Sequence, residues 1–290
     1  MKKRKIKSLF HLAIGRSLGG NLTVFLMLAL IAAFMALPLI YVISNAFKPL
    51  DELFMFPPRF FVRNPTLENF SNLSALMNTS TVPIGRYLTN TIFLTVTTTV
   101  AHVLVASLAA YILEKRDFPG KEILFSMVVT SLMFSGTVTA IPNYLILSKL
   151  GMIDTYWAII IPGIGSSLGL YLMKQFMGGV PNTLLESAKL DGAGELFIFF
   201  KIAMPLVKPA WLTLIILEFQ AMWAFTGSNV IFSEELKPFN YAISQIMSGG
   251  IARAGASAAV SLLMLIVPLS VFIVTQSNVL ETMASSGIKE

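Results

Sequence analysis

The sequence predicts an all-α, polytopic membrane protein with six transmembrane helices, a helix-turn-helix loop on the cytoplasmic side and both termini in the cytoplasm. Three observations predict it: the composition, the placement of basic residues between apolar runs, and one long amphipathic loop. Of the 290 residues 55% are hydrophobic and 12% are charged, about half the charged fraction of an average soluble domain. Such a chain needs lipid as its solvent. The net charge of +6 sits between apolar runs instead of on one basic face, which argues against a nucleic-acid partner and for membrane topology.

A helix needs about 20 mostly apolar residues to cross the hydrocarbon core, because each backbone polar group must be satisfied inside the segment. Six stretches qualify, running approximately over Leu22 to Asn45, Tyr87 to Leu113, Ile123 to Tyr144, Trp157 to Met177, Trp211 to Ile231 and Ser257 to Val279. The first follows a basic segment, residues 1–21, but its apolar core is too long for a secretory signal and no small-x-small cleavage site follows before Lys48, so it is expected to be retained. Residues 22–290 then form one transmembrane domain.

With a cytoplasmic amino terminus, the inner segments hold Lys2, Lys3, Arg4, Lys5, Lys7, Arg16, Lys115, Arg116, Lys121, Lys174, Lys189, Lys201, Lys208 and Lys289. The outer segments hold Lys48, Arg59, Arg63, Arg86, Lys149, Lys237 and Arg253. The two-to-one excess inside places both termini in the cytoplasm. The outer segments then run over about 47–86, 145–156 and 232–256, and the internal cytoplasmic loops over about 114–122 and 178–210.

The loop at 178–210 is far longer than the two to eight residues usual between helices of a bundle. Gly178 and Gly179 end the preceding span, and Pro181 suits the first turn of a new helix. Leu184, Leu185 and Ala188 share a face at helical spacing, and Gly192 stands where a left-handed closing residue is needed. A second short helix begins near Gly194 or Glu195 and carries Leu196, Phe197, Phe199 and Phe200 to Pro205. The loop is therefore predicted to be a bent helix pair outside the membrane.

This segment resembles the membrane subunits of ABC importers, whose mark is Glu-Ala-Ala, three residues, Gly, nine residues, Ile-x-Leu-Pro. Glu186-Ser187-Ala188 is followed by three residues and Gly192, then by nine residues and Ile202-Ala203-Met204-Pro205. The departures are Ser187 for alanine, Met204 for leucine, and Gly194 where a hydroxyl cap is common. The six-span layout and Lys208-Pro209-Ala210 at the start of span five are similar to the maltose-permease-like carbohydrate branch. The resemblance implies a permease subunit of an ATP-driven importer carrying a sugar or oligosaccharide. It implies as partners a homologous second permease subunit, two cytoplasmic ABC ATPase subunits and an extracytoplasmic solute-binding protein, in a bacterial plasma membrane. It assigns ATPase coupling to Glu186, Ser187, Ala188, Asp191, Gly192 and Pro205. A bland reading of Glu186 is an ion pair with Lys189.

No phosphate-binding loop is present, so ATP and Mg belong to the partner ATPase and this chain needs no cofactor of its own. Gly163, Gly165, Ser166 and Gly169 suit close helix packing. The absence of cysteine and the presence of only two histidines, His11 and His102, leave no metal site and no catalytic constellation to propose. His102 and Thr95, Thr97, Thr98 and Thr99 suit helix-helix contacts.

Glu218 is an ionisable residue near the middle of span five, which marks it as a functional candidate. Together with Gln220, Trp223 and Asn229 it offers the hydrogen-bonding groups and aromatic face that a sugar pathway needs. A packed, protonated or helix-bonded Glu218 is equally open, and Trp223-Ala224-Phe225 departs from the family's frequent Trp-Asn pair. The competing function class is an ion-coupled secondary transporter or channel using Glu218. The resemblance implies that the outer segment 232–256 faces the extracytoplasmic binding protein; a solvated connector is the alternative. The Phe- and Pro-rich stretch around Phe54 to Phe61 suits either the membrane surface or the partner subunit.

Overall fold

The structure, a computed structural model, describes residues 18–78 and 82–286. Among them every regular element is helical. The basic residues from Lys2 to Arg16, His11 and Lys289 lie outside the described residues.

A long apolar helix, α1 (Leu18–Ala46), leads into a short turn, α2 (Leu50–Leu53), and a surface helix, α3 (Glu68–Asn78). The central helix α4 (Ile84–Lys115) follows, then α5 (Lys121–Ser131), α6 (Gly136–Lys149), α7 (Trp157–Ile164) and α8 (Ser167–Gly178). Two short helices, α9 (Asn182–Leu190) and α10 (Glu195–Ile198), continue through a wide π-turn into α11 (Met204–Leu206) and then α12 (Lys208–Ala224). The chain closes with α13 (Phe239–Met247) and α14 (Ala254–Ser286).

Among the described residues, four stretches are long and apolar enough to cross a bilayer alone: Leu22–Ala46, Ile84–Lys115, Trp157–Gly178 and Gly250–Val274. Two more qualify only as bent pairs, α5 with α6 at 114° and Glu195–Leu206 with α12 at 81°. The third and fifth expected spans are therefore not the single straight helices that hydropathy suggests. Between α5 and α6 the chain turns tightly, with Met133 N–H bonded to Thr130 and Phe134 N–H to Ser131, and Ser135 is extended ahead of Gly136. α12 stops at Ala224, not Ile231: Phe225 is extended and Gly227 turns left-handed at φ 69°. The Asn240 side chain bonds the Ala224 carbonyl, and Asp154 N–H bonds Val230 O at 2.8 Å. Residues 225–231 thus fold back as a turn, as the central Thr226-Gly227-Ser228-Asn229 favours.

α4 organises the bundle by packing on α7, α8 and α12. Its inward face carries small and hydroxylated side chains, including Thr91, Thr95, Thr98, Thr99, Ala106 and Ser107, all buried, and this lets neighbouring backbones come close. On α7 and α8 two glycines match it. A Cβ at Gly163 would overlap the Thr98 methyl, and one at Gly169 would overlap the His102 ring and lie 2.8 Å from Leu214 Cδ1. His102 Nδ1 lies 2.8 Å from Ile164 O, the carbonyl at the break between α7 and α8. Gly165, by contrast, meets only its own turn and serves the break itself.

α1, α5 and α6 are loosely covered. α1 buries none of its apolar window, α5 buries no residue and α6 buries only Leu147. Apolar surface on this scale needs lipid or other transmembrane helices against it.

Candidate coupling elbow

α9 starts after Pro181, whose φ of −64° and ψ of 129° make it the cap, one position before the first helical turn. Leu185 is buried and Ala188 half-buried against the core, whereas Leu184 is 48% exposed. The three do not share one buried face as their spacing suggests: α9 is short and lies along the bundle end, so only the 185/188 edge meets it. Ser187 Oγ donates to Thr183 O at 2.8 Å.

The turn after α9 is built by the backbone. Gly192 N–H bonds Lys189 O at 3.0 Å and Ala193 N–H bonds Ala188 O at 2.9 Å, the paired closure that needs a left-handed residue at Gly192. Its φ is 84°. Gly194, extended, caps α10 without a side-chain bond. Ile198 and Phe199 turn inward, at 0% and 1% exposure, and the Phe199 ring packs edge-on against Tyr111 of α4 at 5.4 Å. Leu196, Phe197 and Leu190 point out, Leu190 at 89% exposure. Glu186 and Asp191 are exposed beside it, and Pro205 is exposed just before the bend at Val207.

The elbow is braced from the end of α4, a feature the sequence reading missed. Lys115 Nζ donates to Val180 O at 2.6 Å and Asn182 Oδ1 at 3.0 Å. Arg116 pairs with Glu195, and Lys189 pairs with the same carboxylate at 3.0 Å. Lys189 is thus engaged by Glu195, not by Glu186. Glu114 pairs with Lys174 of α8 at 2.8 Å. The charge run Glu114-Lys115-Arg116 marks the end of α4 as polar, but nothing local to it names Lys174, Val180 or Glu195 as partners.

The four pathway candidates do not converge. Glu218 and Trp223 are buried at 7% and 6% exposure, and the Trp223 ring stacks on Phe219 at 5.9 Å. A Cβ at Gly163 would lie 3.4 Å from Glu218 Oε1, so the carboxylate sits in the α7–α12 contact. Gln220 points away and is exposed. Asn229 lies in the turn after α12, its Oδ1 3.4 Å from Ser228 Oγ.

Two curated relatives match about two thirds of the chain. The polygalacturonan/rhamnogalacturonan transport system permease protein YtcP of Bacillus subtilis is 35% identical over 198 residues, 68% of this chain and 66% of that one. The arabinooligosaccharides transport system permease protein AraQ of the same organism is 32% identical over 199 residues, 69% of each chain. The chain belongs to the sugar ABC transporter permease family. This permease spans about two thirds of the length of those relatives. Its fold matches a chain in the crystal structure of a bacterial ABC transporter involved in the import of the acidic polysaccharide alginate, with a TM-score of 0.75 at 20% identity, covering 91% of this chain and 99% of that one. No family model matches the permease.

Proposed function

We propose that this permease is one of two homologous membrane subunits of an importer that moves a sugar or oligosaccharide, delivered by an extracytoplasmic binding protein and driven by ATP hydrolysis on separate ATPase chains. The carrying observation is the two-sided elbow. Leu185, Ile198 and Phe199 fix it to the bundle, while Leu190, Leu196 and Phe197 face outward with no cover among the described residues. An apolar knuckle held by a rigid base, with Glu186 and Asp191 on its rim, suits insertion into a groove on a partner. Each bent pair counts as one span in this reading, giving six, with the elbow and both termini in the cytoplasm. Glu186, Ser187, Ala188, Asp191, Gly192 and Pro205 form the coupling unit, and ATP and Mg stay with the ATPase. The relatives' names favour an oligosaccharide cargo, and Glu218, Gln220, Trp223 and Asn229 remain candidates for its path, as separate contacts.

The natural absence of cysteine makes the test clean. Leu190→Cys is paired with a cysteine series along the groove of the candidate ATPase. A specific cross-link whose yield changes with ATP is expected; no cross-link in a correctly inserted protein would overturn the coupling role. Ion-coupled transport through Glu218 is the second reading, favoured by burial of that carboxylate. It expects Glu218→Gln to abolish uptake that persists without ATP, whereas the importer reading expects no uptake without ATP in either form.

A further inference from the structure

The segment between α1 and α3 presents aromatic side chains from a framework that is itself buried. Lys48, 2% exposed, donates to Asn45 Oδ1 and to Arg59 O, each at 2.6 Å. Glu52, 4% exposed, accepts from Arg63 N–H and Asn64 N–H, each at 3.0 Å. Asn69 ties the same turn to α1 by donating to Ala46 O and Lys48 O at 3.0 and 2.7 Å. Buried charges are costly unless fully bonded, so this framework fixes one loop conformation. From it Phe54, Phe56 and Phe61 project into the open, at 55%, 92% and 67% exposure.

The loop's level relative to α1 decides what it meets. Phe60 packs on Tyr41 with ring centroids 5.5 Å apart, and Phe61 packs on Phe60 at 5.2 Å. Tyr41 lies five residues before the end of α1, roughly 7 Å back along the helix at 1.5 Å per residue. The loop therefore folds back beside the last turns of a helix whose 25-residue apolar stretch Leu22–Ala46 exceeds the hydrocarbon thickness of about 30 Å by only a turn or so. That is the depth at which aromatic rings collect in membrane proteins. Arg63, exposed two residues after Phe61, carries the charge that suits phospholipid phosphate.

We propose that Phe54, Phe56 and Phe61 form an interfacial anchor that lies in the phospholipid headgroup boundary beside the end of α1, with Arg63 at a lipid phosphate. The anchor fixes the tilt and depth of α1, whose main packing partner among the long helices is α14. It acts independently of the coupling elbow and of the cargo.

The test uses nitroxide labels at Phe56→Cys and Phe61→Cys in the full chain, with whichever subunits co-purify, in nanodiscs of phosphatidylethanolamine and phosphatidylglycerol. Both positions are exposed, so folding is retained, and Glu68→Cys on α3, also exposed, is the aqueous reference. Expected is a several-fold greater relaxation by a headgroup-tethered nickel lipid than at the reference, and a several-fold smaller one by a soluble nickel chelate. Reference-like exposure to the soluble chelate marks a solvated loop and overturns the proposal. Protection from both reagents marks a protein partner over the aromatics and overturns it equally.

Discussion

Arg116, the residue that follows α4, donates to the carboxylate of Glu195, the first residue of α10. Through this pair the central helix of the bundle holds the second limb of the elbow, while Lys189 brings the first limb to the same carboxylate. The two side chains of the Arg116 pair are 39% and 50% exposed, so the pair adds little stability, below about 1 kcal/mol. Its value is positional.

Removing it should separate coupling from folding. Arg116→Ala and Glu195→Gln are expected to shift the melting temperature by a few degrees at most yet to raise the ATP hydrolysed per sugar carried in proteoliposomes. The reversed pair, Arg116→Glu with Glu195→Arg, should recover part of the ratio, and only part because the introduced arginine would face Lys189. Unchanged stoichiometry in both single variants would show that the brace carries no motion.

Gly192 holds the turn with a φ of 84°, a conformation that costs a residue with a Cβ about 1–2 kcal/mol. Nothing lies within 4 Å of a Cβ added there, so the whole penalty is backbone. Gly192→Ala should lower stability by about 1 kcal/mol and weaken the Leu190→Cys cross-link by changing the angle between α9 and α10. Gly192→Asn, which tolerates the left-handed region better, should lie between the two. Equal behaviour of Ala and Gly would mean the turn relaxes freely.

Much of this was legible in the sequence. The straight spans announce themselves because hydropathy and helix length agree, as over Ile84–Lys115. The elbow does so because Pro181, Gly192 and Pro205 punctuate it at the family spacing. The end of α12 was misplaced because Phe225, Val230 and Ile231 flank the cluster Thr226-Gly227-Ser228-Asn229 with apolar residues; the helix ends where Phe225 becomes extended, ahead of a left-handed Gly227 with Pro238 Cδ 3.2 Å from where its Cβ would be. The run of turn residues Thr226-Gly227-Ser228-Asn229 was the available signal. Pairs such as Arg116–Glu195 and Lys115–Val180 join distant parts of the chain, and no local pattern encodes them. Glu218 and Gln220, two residues apart, cannot share one narrow helix stripe, and the structure sends the first inward and the second outward.

The His102–Gly169 contact supports a third expectation. Gly169→Ala places a methyl into the imidazole and against Leu214, and such overpacking costs typically 1–3 kcal/mol. The melting temperature in detergent should fall accordingly. His102→Ala alone should also destabilise, by opening a cavity and leaving Ile164 O without its partner. If the two residues compete for one space, the double variant is less destabilised than the sum of the singles. Strict additivity would place the glycine's role elsewhere, in the α7–α8 break.

Asp154 fastens two loops at the end of the bundle opposite the elbow. It sits at φ 61°, and its carboxylate accepts from Phe232 N–H at 2.9 Å, Ser233 N–H at 2.8 Å and the Ser233 hydroxyl. These donors, led by the Ser233 hydroxyl, hold its pKa below the ordinary 3.8. A carboxyl with a depressed folded-state pKa stabilises fully above its unfolded value and loses that contribution as pH falls through the folded one. Asp154→Asn keeps a residue suited to the left-handed region and one acceptor, so it removes mainly the charge. The stability gap between wild type and Asp154→Asn, about 1 kcal/mol for exposed charged hydrogen bonds, should be constant from neutral pH down to about pH 4 and should close below it. A gap that widens on acidification would contradict the sign. Asp154→Ala should add backbone strain and speed proteolysis within 225–233, because the turn that ends α12 then loses both its acceptor and its fixed neighbour.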